Sequence, residues 1–208
     1  MTHSPLASVG GQGNVILTIF IMKIINSLKS NSAAELILTR HGKIKRSRSR
    51  RIIAVFLKLV RALNKMDIVP IIYGSLGLSL LVGECGPIAD IDFILTDAGF
   101  RRRWRDIQNY LISKMGYKKD PDHKQEFLGN GCPVSFLKLS DIKTLIPIRL
   151  SQLTKHTREG GTYYNLTLSL YLGIYRKGLR GRDRKQKKEG PDKEKIRLIE
   201  KHLTMETQ

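Results

Sequence analysis

Ile71-Ile72-Tyr73-Gly74-Ser75-Leu76-Gly77, followed by Ala89-Asp90-Ile91-Asp92-Phe93-Ile94, decides the fold of this chain. Both stretches are apolar runs rich in β-branched residues, the pattern of buried strands. The first stops at Gly-Ser. The second carries aspartates at positions i and i+2, which project from the same face of a strand. Two carboxylates held that close repel each other unless a positive group lies between them, and a divalent cation suits them. A Gly-Ser turn after a strand offers backbone N–H groups and a hydroxyl to a phosphate, at the positive end of the next helix. Such a pair serves metal-assisted phosphoryl or nucleotidyl transfer. The bland alternative is that Asp90 and Asp92 only close a turn ahead of a buried strand.

The order Tyr73-Gly74-Ser75, a spacer from Leu76 to Ala89, then Asp90-Ile91-Asp92-Phe93 resembles the nucleotidyltransferase superfamily related to DNA polymerase β and to small bacterial antibiotic-modifying nucleotidyltransferases. Roughly residues 50 to 145 carry the resemblance. It implies that Gly74 and Ser75 hold nucleotide phosphates and that Asp90 and Asp92 hold magnesium. In the superfamily a third acid stands on a later strand. The matching position here is Ser135 in Val134-Ser135-Phe136, and serine alone is no general base.

A substitute follows from register. If Asn130 and Gly131 form the turn between strands Gln125–Leu128 and Cys132–Leu139, Glu126 falls opposite Ser135 and shares its face. A one-residue slip would turn it away. Glu126 is therefore the candidate third catalytic carboxylate. Asp120, Asp122 and His123 lie in the approach loop, where solvated side chains are the simpler expectation.

The charge balance constrains the partner. The chain has 37 basic and 18 acidic residues, a formal net charge of +19, which favours nucleotide, nucleic acid or another polyanion. An apolar fraction of 41% is enough for a packed core and excludes a disordered protein by composition. Cys85 and Cys132 stand far apart, without the spacing of a zinc site or of a disulfide-stapled secreted domain. A cytoplasmic protein is expected. Val15–Ile25 is too short for a membrane span and is interrupted by Lys23. It is either a docking helix or sequence upstream of a start at Met22.

Elsewhere, a basic run covers residues 40 to 51 without interleaved aromatics, so it offers no stacking platform for bases. Ile52, Phe56, Leu59, Val60 and Leu63 recur at helical spacing. Leu76–Val82 is a helix. Thr96 or Asp97 caps another from Ala98 to Met115, whose Arg101, Arg102, Arg103 and Arg105 serve either as phosphate contacts or, the favoured reading, as an exposed face. Ser140 caps a short helix. Residues 149 to 162 read as polar loop or frayed helix, and Tyr163–Leu179 as a packed helix. A second basic run fills residues 180 to 189, and Asp192 caps a last helix to about Leu203.

The expected fold is α+β, with a small mixed sheet carrying the site on one face, helices on the other, and a helical C-terminal extension. The expected organisation is a leader and apolar helix over residues 1 to 39, a nucleotidyltransferase-like domain over 40 to 145, and a basic helical extension over 146 to 208. The resemblance implies a magnesium-dependent enzyme moving a nucleoside monophosphate from a nucleoside triphosphate, ATP for preference, to a hydroxyl. The alternative is a catalytically impaired module that binds nucleotide or RNA. A small component of a two-protein system is a third class, with no protein partner indicated.

Overall fold

The computed structural model describes residues 43–83, 87–129, 131–144, 146–180 and 189–206. All belong to one unit running from His41 to Gln208. The leader with its apolar segment, Cys85, Asn130 and residues 181–188 of the second basic run lie outside the described residues.

The elements are α1 (Lys43–Asn64), β1 (Ile71–Tyr73), α2 (Gly74–Val82), β2 (Ile91–Leu95), α3 (Asp97–Asn109), β3 (Lys118–Lys119), β4 (Glu126–Leu128), β5 (Val134–Lys138), α4 (Leu139–Lys143), β6 (Thr154–Arg158), β7 (Gly161–Asn165), α5 (Leu168–Arg180) and α6 (Glu189–Glu206). The strands form one mixed sheet in the order β3-β4-β5-β2-β1-β7-β6. β2 runs parallel to β5, and β1 runs parallel to β7; the other neighbours are antiparallel.

Strand alternation sorts the apolar side chains onto two faces. Ile91, Phe93 and Leu95 of β2 and Val134 and Phe136 of β5 point to one face, with Ile52, Phe56, Leu59, Val60 and Leu63 of α1 in the same core cluster. Phe93 links its neighbours there, with ring centroids 5.9 Å from Phe56 and 5.5 Å from Phe136. Trp104 of α3 covers the outer part of this face, 5.6 Å from Phe136. Each such buried side chain contributes about 1.5–3 kcal/mol of transfer free energy. Ile71 and Ile94 point to the opposite face and cluster with Leu78 of α2, Tyr171 and Ile174 of α5, and Ile199 of α6.

Local chemistry explains most element ends. Thr96 caps α3, its Oγ1 accepting the Gly99 N–H at 3.1 Å. After α3 the chain continues in π-helical turns over Tyr110–Lys114, and Gly116 leaves them at φ 69°. Ser140 is not the cap of α4, which already starts at Leu139. Its hydroxyl instead donates to Asp97 Oδ1 at 2.6 Å, and that bond holds the Asp97 carboxyl below its ordinary range. Asp192 is not a cap either. α6 begins at Glu189, with Pro191 in its first turn where a missing N–H is tolerated, and Asp192 is buried inside the helix.

The main departure from the sequence reading is the segment from 154 to 165. It is a β-hairpin, not loop followed by helix. Glu159 and Gly160 both have positive φ, 47° and 74°, as a two-residue hairpin turn requires. Tyr163 thereby enters the core beneath Phe56, with centroids 5.0 Å apart. The end of α1 is fastened to this hairpin by Asn64, whose Oδ1 accepts the Thr162 N–H at 2.7 Å and whose Nδ2 donates to the Thr162 carbonyl at 2.9 Å.

Candidate functional site

Four adjacent strands build one row of side chains. Tyr73 pairs with Asp92, Asp92 with Ser135, and Ser135 with Glu126. Paired residues share a face, so all four project from the side opposite α1. The register between Glu126 and Ser135 is the one expected for a turn centred on residues 130 and 131. Asp92 and Glu126 are half-buried. Ser135 Oγ donates to Asp92 Oδ1 at 2.6 Å, so this hydroxyl orients the carboxylate beside it. Asp90 is half-buried one position ahead of β2, whose pairing to β5 begins where the Ile91 N–H donates to the Pro133 carbonyl at 2.9 Å.

Gly74 closes the row against α2. Its φ of 68° lies in the left-handed region, and a Cβ there would fall on Asp92 Oδ2. Only glycine lets the chain leave β1, turn into α2 and pass the carboxylate at that distance. Tyr73, the residue ahead of the helix, supplies no side-chain cap. The first turn of α2, with Ser75 in it, therefore starts at the carboxylate row and points the positive end of the helix there.

A buried latch fixes that helix, and nothing in the local sequence pattern reveals it. Asn165 at the end of β7 is fully buried. Its Nδ2 donates to the Gly77 carbonyl at 2.9 Å, while its Oδ1 accepts from the Leu166 N–H at 2.9 Å and from Tyr171 OH at 3.0 Å. A Cβ at Gly77 would strike Tyr171 OH. The second glycine of Gly74-Ser75-Leu76-Gly77 thus serves close packing, and the C-terminal part of the chain positions the first turn of α2.

At the outer end of the row, Asp120, His123 and Glu126 place one possible ligand atom each within 4.8 Å of one another. His123 Nδ1 is 3.5 Å from Asp120 Oδ1 and 3.9 Å from Glu126 Oε2. The backbone N–H groups of Asp122 and His123 donate to Asp120 Oδ1 at 2.7 and 3.1 Å, which holds this carboxyl below its ordinary range. The triad can hold a divalent metal. Its mixed nitrogen and oxygen donors suit a transition metal better than the all-oxygen pair Asp90 and Asp92 does. The approach-loop residues, expected as solvated, therefore join Glu126; Asp122 contributes only its backbone.

Of the four arginines of α3, Arg101, Arg102 and Arg105 are exposed, and Arg103 pairs with Asp106 at 3.3 Å and Asp67 at 3.5 Å. Among the described residues, no helix is long and apolar enough to cross a membrane.

No protein-family model matches the chain. It is 29% identical over 147 residues to the uncharacterized protein YnaI of Bacillus subtilis (strain 168), a match covering 70% of this chain and 94% of that one. The crystal structure of an antigenic nucleotidyltransferase-like protein from Paracoccidioides brasiliensis superposes with a TM-score of 0.52 at 18% identity, over 73% of this chain and 76% of the other. The chain has a nucleotidyltransferase-like fold.

Proposed function

We propose that this protein is a metal-dependent nucleotidyltransferase that moves a nucleoside monophosphate from a nucleoside triphosphate to a hydroxyl acceptor. The observation that carries the reading is the joining of two motifs in one place. Gly74, in a conformation that only glycine enters easily, lies against Asp92 Oδ2, so a phosphate-binding turn and a carboxylate meet at the start of α2. The nucleotidyltransferase-like fold supports it.

The donor chemistry fits magnesium. Asp90 and Asp92 offer hard carboxylate oxygens, and the glycine cradle leaves Asp92 uncovered by any Cβ from the turn. A divalent ion held by Asp90 and Asp92 would neutralise charge on the triphosphate and polarise the phosphorus under attack. The protein's own groups account for the rest. The first N–H groups of α2 and the Ser75 hydroxyl bind phosphate oxygens. Ser135 keeps Asp92 in one rotamer. Glu126 accepts the proton of the acceptor hydroxyl as its oxygen bonds to the α-phosphorus, and the bond to the leaving pyrophosphate breaks.

A second reading is favoured by one observation: serine, not an acid, sits beside Asp92 and is hydrogen-bonded to it. In that reading the site binds nucleotide or RNA without chemistry. Calorimetry with ATP, GTP, CTP and UTP, with and without magnesium, tests the first reading, using the Asp90→Asn/Asp92→Asn double variant as control. Metal-dependent binding lost in the variant, followed by pyrophosphate release with a hydroxyl acceptor, supports transfer. Binding without turnover favours the impaired module. Binding unchanged in the variant sinks the metal site.

A further inference from the structure

α1 holds eight Lys and Arg among its 22 residues and no acid. Six of the eight lie in its first nine residues, the end at which the helix dipole disfavours cations. The charge is thus concentrated where both mutual repulsion and the dipole oppose it. The four arginines of α3 differ, because that helix also carries Asp97 and Asp106, and Asp106 pairs with Arg103.

Among the described residues, exposed cations of α1 and of the residue just past its end form a line. Arg51, Lys58 and Lys65 are exposed and spaced by seven residues, which drifts only about 20° per step around a helix. Arg50 is exposed beside the first of them. Arg61 is engaged, donating to the Glu159 carbonyl at 3.0 Å. From Arg51 to Lys65 the ridge is about 21 Å long at 1.5 Å per residue, more than one nucleotide can span.

Topology fixes where the ridge leads. α1 ends at the β6–β7 hairpin through Asn64, and β1 then runs back to Tyr73 in the carboxylate row. The beginning of α1 is therefore at the end of the sheet where β2 and β5 start. The Arg51 guanidinium confirms this placement: its Cζ would be 3.8 Å from a Cβ at Gly131 in the β4–β5 turn. That turn joins the strands bearing Glu126 and Ser135.

We infer that the exposed ridge of Arg50, Arg51 and Lys58 on α1 and Lys65 just past its end holds the phosphate backbone of an RNA strand, with Arg51 at the end of the sheet where β2 and β5 start, across the sheet from the carboxylate row. That the bound strand is the acceptor rests on the proposed transfer reaction; the binding itself does not. A membrane surface fits less well. An interfacial helix needs an apolar face to insert, and Ile52, Phe56, Leu57, Leu59, Val60 and Leu63 are all committed to the core. Without interleaved aromatics, binding is electrostatic and insensitive to sequence.

The test is fluorescence anisotropy of a labelled oligouridylate longer than the ridge, titrated with the full-length protein across a salt series. The variants are Arg51→Glu/Lys58→Glu/Lys65→Glu and, as a charge-matched control on another surface, Arg101→Glu/Arg102→Glu/Arg105→Glu. Each single-strand phosphate contact contributes about −0.7 to the slope of log K against log salt, so losing three should flatten it by about 2 and weaken binding at least about tenfold. The control should bind as the native protein does. Equal losses in both variants, or none in the α1 variant, would overturn the assignment. So would native protein that ignores the RNA but binds anionic phosphatidylserine vesicles, or RNA displaced completely by magnesium ATP. The Asp90→Asn/Asp92→Asn protein should still bind the RNA, so failure of the transfer reading and failure of the ridge give different results.

Discussion

Ser135 Oγ and Asp92 Oδ1 are 2.6 Å apart across two parallel strands, so the hydroxyl donates its proton to the carboxylate on the site face of the sheet. A hydrogen bond to a charged acceptor contributes about 1.5–3 kcal/mol. Ser135→Ala should leave the fold intact and remove the hydrogen bond that Asp92 Oδ1 accepts. The expected outcome is metal-dependent nucleotide affinity about tenfold weaker, a loss of about 1.4 kcal/mol, by calorimetry. Unchanged affinity would show that the hydroxyl does not position Asp92 for the ligand.

Gly74→Ala tests the cradle. The φ of 68° is unfavourable for alanine, and its methyl group would displace the Asp92 carboxylate. Stability should fall by more than about 1 kcal/mol in urea titration. Metal-dependent nucleotide binding should fall below detection in the remaining folded protein. Native-like binding would remove Gly74 from the site.

Glu126→Gln separates chemistry from binding. The side chain is half-buried at the sheet's outer part, and glutamine keeps its size. If Glu126 takes the acceptor proton, turnover should drop by about 10²–10⁴-fold while nucleotide affinity holds. Loss of affinity with turnover would assign Glu126 to metal binding together with Asp120 and His123.

Asn165→Ala addresses the latch. The substitution removes three hydrogen bonds from a buried site, those to the Gly77 carbonyl, the Leu166 N–H and Tyr171 OH. The expected loss is about 3 kcal/mol or more, read as a lower urea midpoint at unchanged slope. Tyr171→Phe removes only one donor and should cost about 1 kcal/mol. Equal effects would mean that the network is not organised around Asn165.

His156 gives the chain a pH dependence near neutrality. Burial pushes its imidazole below the ordinary value of 6.5, and its ring stacks on Tyr163 with centroids 5.4 Å apart. The unfolded chain then binds a proton more readily than the folded one, so stability rises with pH through this window. As pH falls below about 6.5, this contribution is lost, until the folded-state value is passed. Urea midpoints at pH 8 and pH 5.5 should differ in the native protein and differ less in His156→Phe, which keeps the stacking. An equal difference in both would place the pH response elsewhere.

The Gly74 turn and the register that sets Glu126 opposite Ser135 are legible because their cues are local. The i, i+2 spacing of Asp90 and Asp92 and the Gly-Ser at the end of an apolar run need only the geometry of neighbouring residues. The β4–β5 register followed from a two-residue turn, which put Glu126 opposite Ser135. The 154–165 hairpin was missed although Glu159-Gly160-Gly161 marks its turn, because the flanking Thr154–Arg158 is polar throughout and Tyr163–Leu179 is apolar enough to read as one helix. β6 is an edge strand that exposes Lys155 and Thr157, so no apolar alternation announces it.

By itself, the sequence determined the strand-turn-helix that carries Gly74 and Ser75, the β2 strand that brings Asp92 against it, and the amphipathic α1. Each is set by dihedral preference and side-chain periodicity within a few residues. Only the tertiary structure decided that β7 lies parallel to β1, that Asn165 holds Gly77, and that Asp120, His123 and Glu126 converge. The first two of these join parts of the chain some 90 residues apart. Their energy comes from burial and from satisfying polar groups inside the core, quantities that exist only once the whole sheet has closed around them.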